Sequence, residues 1–120
     1  GASVVIKNDL VIAPDSEGVL HCLHARTGEE LWMYDLFSAV TASPLIVGDW
    51  VYVPDEDGDV AIFRLSANPG VAMKQVSGKF RPLAEITMEN SIDNTPTFAN
   101  GVLYIATRTH LWAIAASKKK

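Results

Sequence analysis

An all-β fold of four-stranded antiparallel blades, about three of them with the last incomplete, is predicted by three observations. One sequence pattern repeats at a spacing of 40 residues, the repeats break into strand-length apolar runs, and hairpin turn residues separate those runs. Residues 2–18 read ASVVIKNDLVIAPDSEG and residues 42–58 read ASPLIVGDWVYVPDEDG. At that offset Ala2/Ala42, Ser3/Ser43, Ile6/Ile46, Asp9/Asp49, Val11/Val51, Pro14/Pro54, Asp15/Asp55 and Gly18/Gly58 coincide, eight of seventeen positions without a gap. A third copy begins at Thr95, displaced by 52 residues, as TPTFANGVLYIATRTHLWAIAA. Four short strands in a repeat of about 40 residues is the arithmetic of a β-propeller blade. A sandwich has as many strands but no repeated sequence.

The elements follow in order. Blade one spans about 2–37, and its Arg26-Thr27-Gly28 turn leads into a fourth strand over 30–36. Blade two spans about 41–90. Its strands are expected at 43–47, 50–53, 60–65 and 82–89, with Gly48-Asp49 and the segment 55–58 as turns. Gly-Asp and Asp-Gly suit hairpins because they tolerate positive φ. The longer third offset places an insertion at 68–82, whose Pro, Gly and Ser predict a surface loop. The stretch 72–79 is too short and polar to predict a helix. Blade three, about 94–116, stops after its third strand, which makes eleven strands in all.

The segment from Val19 to Trp32, VLHCLHARTGEELW, resembles the signature of the pyrroloquinoline-quinone (PQQ) repeat, roughly Leu-Tyr-Ala-Leu-Asp-Ala-x-Thr-Gly-Lys-x-x-Trp. His24 stands where that signature has Asp. The second copy has Arg64 in place of Asp and no following Thr-Gly-x-x-x-Trp. The resemblance implies that Trp32, with the Thr27-Gly28 turn, docks one blade on the next, and that Gly18, Gly58, Trp50 and Trp112 are structural repeat positions. It also implies the C-terminal part of a larger ring, since a propeller closes with about 4–8 blades. Open blade edges would then recruit the remaining blades, a protein partner or a second copy.

Chemistry is less visible. A net charge of −4 argues against a nucleic-acid binder. The one basic cluster, Lys118, Lys119 and Lys120, reads as a solvated tail, and Gly1-Ala2-Ser3 as partly an expression remnant. No apolar run is long enough for a transmembrane helix. Cys22, the single cysteine, forms no internal disulfide and reads as buried filler. Asp55-Glu56-Asp57-Gly58-Asp59 lacks the spacing of an EF-hand, which places Gly sixth and Glu twelfth, and reads as an acidic turn. Along a strand Cys22 and His24 share one face and His21 takes the other, so a zinc site would need a distant third ligand such as His110. Trp50, Trp112, Tyr52 and Tyr104 read as blade packing. No catalytic or metal residue is assigned. The sequence favours a non-catalytic interaction or scaffold module without a cofactor of its own. The alternatives are part of a quinoprotein-type oxidoreductase, with PQQ and calcium in the complete ring, and a carbohydrate or cell-wall binding module. The resemblance implies a bacterial, extracytoplasmic setting.

Overall fold

Alternating apolar positions and positive-φ turns build the chain outward strand by strand. The computed structural model describes residues 2–88 and 90–115. Blade one is β1 (Val5–Lys7), β2 (Leu10–Pro14), β3 (Val19–His24) and β4 (Glu30–Asp35), antiparallel and in chain order. Blade two begins with β5 (Leu45–Val47), β6 (Trp50–Pro54) and β7 (Asp59–Arg64). The chain then leaves the sheet through α1 (Pro69–Ala72) and the hairpin β8 (Lys74–Val76) and β9 (Lys79–Arg81). It returns as β10 (Ala84–Thr87), the outer strand paired with β7. Blade three is β11 (Thr97–Ala99), β12 (Val102–Ala106) and β13 (Leu111–Ala115). The tail at 118–120, residue 116, Gly1 and Glu89 lie outside the described residues.

The segment 68–82 is therefore not a plain loop, which corrects the sequence expectation. Asn68 caps α1 through its side chain, which accepts from the Gly70 N–H at 2.9 Å, and Pro69 supplies a preset φ at the first helical position. The helix is anchored because Ala72 and the adjoining Met73 are buried in the core of the first two blades. Ser77 and Gly78, at φ 53° and 78°, then close β8 on β9. A repeat comparison treats this segment as a gap and is blind to its cap and turn signals. With this extra hairpin the described residues hold thirteen strands, not eleven.

The core lies between blades, because each sheet has two apolar faces. Leu10, Ile12, Leu20, Cys22 and Trp32 of blade one meet Val51, Val53, Ala61 and Phe63 of blade two. The alternate residues of blade two, Tyr52, Val60 and Ile86, face Leu103, Ile105 and Ile114 of blade three. Each fully buried Val, Leu, Ile or Phe contributes about 1.5–3 kcal/mol, so these two interfaces dominate stability. Polar contacts fix the inner strands as well. The Ser3 N–H donates to Ser43 Oγ at 2.9 Å, and Lys7 Nζ donates to the Gly48 carbonyl at 2.8 Å.

Candidate interaction site at the blade interfaces

The repeated Asp-x-x-Gly turns are built alike. Asp15 Oδ1 accepts from the Glu17 and Val19 N–H groups at 2.8 and 3.0 Å. Asp55 Oδ1 accepts from Asp57 and Asp59 at 2.9 and 3.1 Å. Gly18 and Gly58 follow at φ 87° and 92°, and their carbonyls accept from Leu36 and Met88, where the chain leaves each outer strand. The acidic run 55–59 is thus a turn whose leading carboxylate is consumed by its own backbone. The two aspartates nevertheless titrate differently. His21 holds the Asp15 carboxyl down at about 2. Burial pushes the Asp55 carboxyl up.

Trp32 sits on β4, 5% exposed, and reaches across to blade two. Its ring stacks on Phe63 at 5.6 Å, and its Nε1–H donates to the Ser66 carbonyl at 2.8 Å. Tyr34 meets the same Phe63 edge-on at 5.7 Å. The turn before it is held by Thr27 Oγ1, which accepts from the Glu29 N–H at 3.2 Å, and by Gly28, whose N–H donates to the His24 carbonyl at 2.8 Å. Imidazole takes the part of a carboxylate at position 24: His24 Nδ1 accepts from the Arg26 N–H at 3.1 Å. Trp50 is half-exposed beneath the Arg64 guanidinium, 4.6 Å from its ring centroid. Trp112 is 42% exposed beside His110, and Tyr104 stands on the opposite face of blade three.

Cys22 is buried between blades one and two, and burial pushes its thiol up to about 11. His24 is bound into its turn, and His110 lies in blade three. Among the described residues no cluster of His, Cys, Asp or Glu is arranged to hold a metal ion. Cys22 has no second cysteine beside it, and Asp15 and Asp55 each bond their own turn.

Sequence reasoning missed a charged staple on the open face of blade one. His21 Nε2 lies 2.9 Å from Asp15 Oδ2, and its Nδ1 lies 2.5 Å from Glu30 Oε2. A β-bulge between Cys22 and Leu23 shifts the register and pairs Leu23 with Glu30. Regular strand spacing does not foresee that shift. The hydrogen bonds to Glu30 and Asp15 raise the His21 pKa. A raised histidine stabilises the fold fully below its ordinary value of 6.5 and loses that contribution as pH rises through its folded value. Lowered Asp15 contributes above its ordinary 3.8 and is lost as pH falls through about 2. His21→Gln therefore lowers the urea midpoint more at about pH 5.5 than at about pH 9. An equal loss at both would contradict the staple.

Between blades two and three runs a groove of about 190 Å3, lined by Tyr52, Ile62, Ile86, Phe98, Leu103 and Ile114 among others. A second hollow of about 200 Å3 lies at the first Asp-x-x-Gly turn, beside Ala2, Pro14 and Val40.

A family model described as outer membrane protein assembly factor BamB matches residues 1–73. No curated relative matches the chain by sequence. Its fold resembles BamB from Moraxella catarrhalis, with a TM-score of 0.71 at 23% identity over 92% of this chain and 32% of that one. The computationally designed Ika4 protein gives 0.65 at 16% identity, over 93% of this chain and 64% of that one. Quinohemoprotein alcohol dehydrogenase from Comamonas testosteroni gives 0.63 at 20% identity, over 87% of this chain and 16% of that one. The chain spans about a third of the length of that BamB.

Proposed function

Because the chain belongs to the PQQ-repeat propeller family described by the outer membrane protein assembly factor BamB, we propose that it works as a non-catalytic protein-interaction or scaffold module. One observation carries this reading. Four side chains at repeat positions are engaged in holding turns and joining blades: Asp15, Asp55 and His24 bond their turns, and Trp32 bonds the next blade. What remains for a partner is surface. Ile6 and Met33 on blade one and Leu111 on blade three are exposed apolar residues on strands. The likeness to the alcohol dehydrogenase, at 20% identity, is one of fold and adds no weight to redox chemistry. PQQ and calcium, if the parent holds them, belong to a complete ring axis. The BamB likeness also supports an extracytoplasmic setting.

The test is affinity capture of the tagged full-length parent from its own cells after mild crosslinking. The expected result is at least one protein enriched about tenfold or more over an untagged control and retained through salt washes. No enriched protein, together with PQQ-dependent dye reduction by the same preparation, would overturn the reading.

A further inference from the structure

The insertion in blade two has no counterpart in the other copies, and its charge runs against the rest of the chain. The chain carries 10 Lys and Arg against 14 Asp and Glu, whereas residues 68–82 hold Lys74, Lys79 and Arg81 and no carboxylate. Buried residues anchor the segment at both ends, Ala72 and Met73 before the β8–β9 hairpin and Pro82 after it, while every residue from 74 to 81 is exposed. The register sorts the hairpin into two faces. Lys74 pairs with Arg81 and Val76 with Lys79, so these four side chains share one face, and the pair Gln75 and Phe80 takes the other. Two cations therefore stand directly opposite each other, an arrangement that destabilises a pair of strands. Arg81 has one relief, Glu85 Oε1 at 3.4 Å. Lys74 and Lys79 meet no carboxylate among the described residues, whereas Arg26 and Arg108 pair with Asp9 and Asp93, Lys7 reaches the Gly48 carbonyl and Arg64 covers Trp50. Natural sequences break such local rules chiefly at functional sites.

We propose that the β8–β9 hairpin docks an extended acidic segment of a partner protein, one that alternates carboxylate and apolar residues. Three considerations select that occupant. First, β8 and β9 pair only with each other, so each keeps one backbone edge without a strand partner, and an extended segment adds there through main-chain hydrogen bonds. Second, alternate side chains of such a strand fall on opposite faces. Carboxylates on one face meet Lys74, Lys79 and Arg81, and apolar residues on the other meet Phe80, which is 37% exposed. Third, lysines on an open edge turn away neutral and basic strands, and the same charge admits an acidic one. A nucleic acid or an anionic bilayer offers charge but no strand to pair, and the remainder of the chain, richer in acid than in base, repels both. The hairpin site rests on the interaction reading above and specifies the chemistry of one contact for it.

The probe is a blocked peptide of alternating Glu and Val, titrated into the isotope-labelled 120-residue chain and followed by its amide resonances. Saturable shifts centred on residues 74–81 are expected, with a dissociation constant of about 0.1–1 mM at low salt. Binding weakens about fivefold or more in roughly 0.5 M salt. A peptide alternating Lys and Val gives no shifts. A peptide of the same composition as the first, with Glu and Val in separate blocks, binds about fivefold or more weakly, because its carboxylates fall on both faces. Lys74→Glu combined with Lys79→Glu abolishes the shifts, and Lys74→Gln with Lys79→Gln serves if the reversed variant does not fold, as judged by the rest of its spectrum. No shifts up to about 10 mM, equal shifts with the basic or the block peptide, or undiminished shifts in a folded variant would overturn the site. Cosedimentation with phosphatidylserine vesicles in the absence of any peptide shift would overturn it in favour of a membrane. The two readings fail separately. A captured partner that binds parent carrying both reversals as well as wild type leaves the scaffold reading standing and removes the hairpin site. No captured partner, together with PQQ-dependent dye reduction, removes the scaffold reading whatever the peptide does.

Discussion

Trp32→Ala costs about 3–5 kcal/mol of unfolding free energy, the range expected for truncating a buried aromatic side chain. The side chain is 5% exposed, stacks on Phe63 at 5.6 Å and donates to the Ser66 carbonyl at 2.8 Å, so the truncation opens a cavity and leaves that carbonyl only the long contact from Cys22 Sγ at 3.9 Å. The loss is a large share of the stability of an ordinary domain, about 5–15 kcal/mol. Trp32→Phe separates the two contributions. It keeps an aromatic ring against Phe63 and removes the N–H donor, at a cost of about 1 kcal/mol from the lost bond. Urea unfolding of both variants checks the account. A Trp32→Ala loss below about 1 kcal/mol would mean that the indole is not what joins the first two blades.

Gly18→Ala and Gly58→Ala are expected to cost about 3 kcal/mol or more each, well above an ordinary turn glycine. A Cβ on Gly18 would lie 2.3 Å from the Ser38 carbonyl oxygen, and one on Gly58 would lie 2.5 Å from that of Asn90 and 2.7 Å from that of Met88. These are backbone atoms, so the linker between blades must move. In the first case the linker is also bonded onward, because the Glu56 N–H donates to the Ala39 carbonyl at 2.9 Å. Displacing it therefore disturbs the turn of blade two as well. Gly28 is the control. It has φ 75°, but a Cβ there would meet nothing within 4 Å, so Gly28→Ala costs only the left-handed backbone strain of about 1–2 kcal/mol. Equal losses at all three glycines, measured by denaturant unfolding, would show that φ alone explains these positions.

The architecture was legible because the repeat preserves residues that the backbone itself requires. Asp15/Asp55 and Gly18/Gly58 coincide at 40 residues since one accepts the turn's N–H groups and the other admits the close approach of the linker. The departure of Arg64 from the repeat was visible in the sequence, and the structure gives it a physical role as the cation over the Trp50 ring, its cross-strand partner. The insertion was not legible by comparison of copies, because nothing in the other blades corresponds to α1 or the β8–β9 hairpin. The His21 staple was hidden by a one-residue bulge that realigns β4 against β3.

These contacts make each blade a unit that completes its neighbour. The outer faces of blades one and three, with Ile6 64%, Met33 52% and Leu111 71% exposed, are surfaces of the same kind left without that neighbour. The most direct measurement is the absolute mass of the 120-residue chain in solution, by size-exclusion chromatography with light scattering across a concentration series. The account predicts multiples of 13.0 kDa that grow with concentration as open faces find one another. A strict 13.0 kDa species up to about 100 μM would contradict the claim that these faces are interaction surfaces.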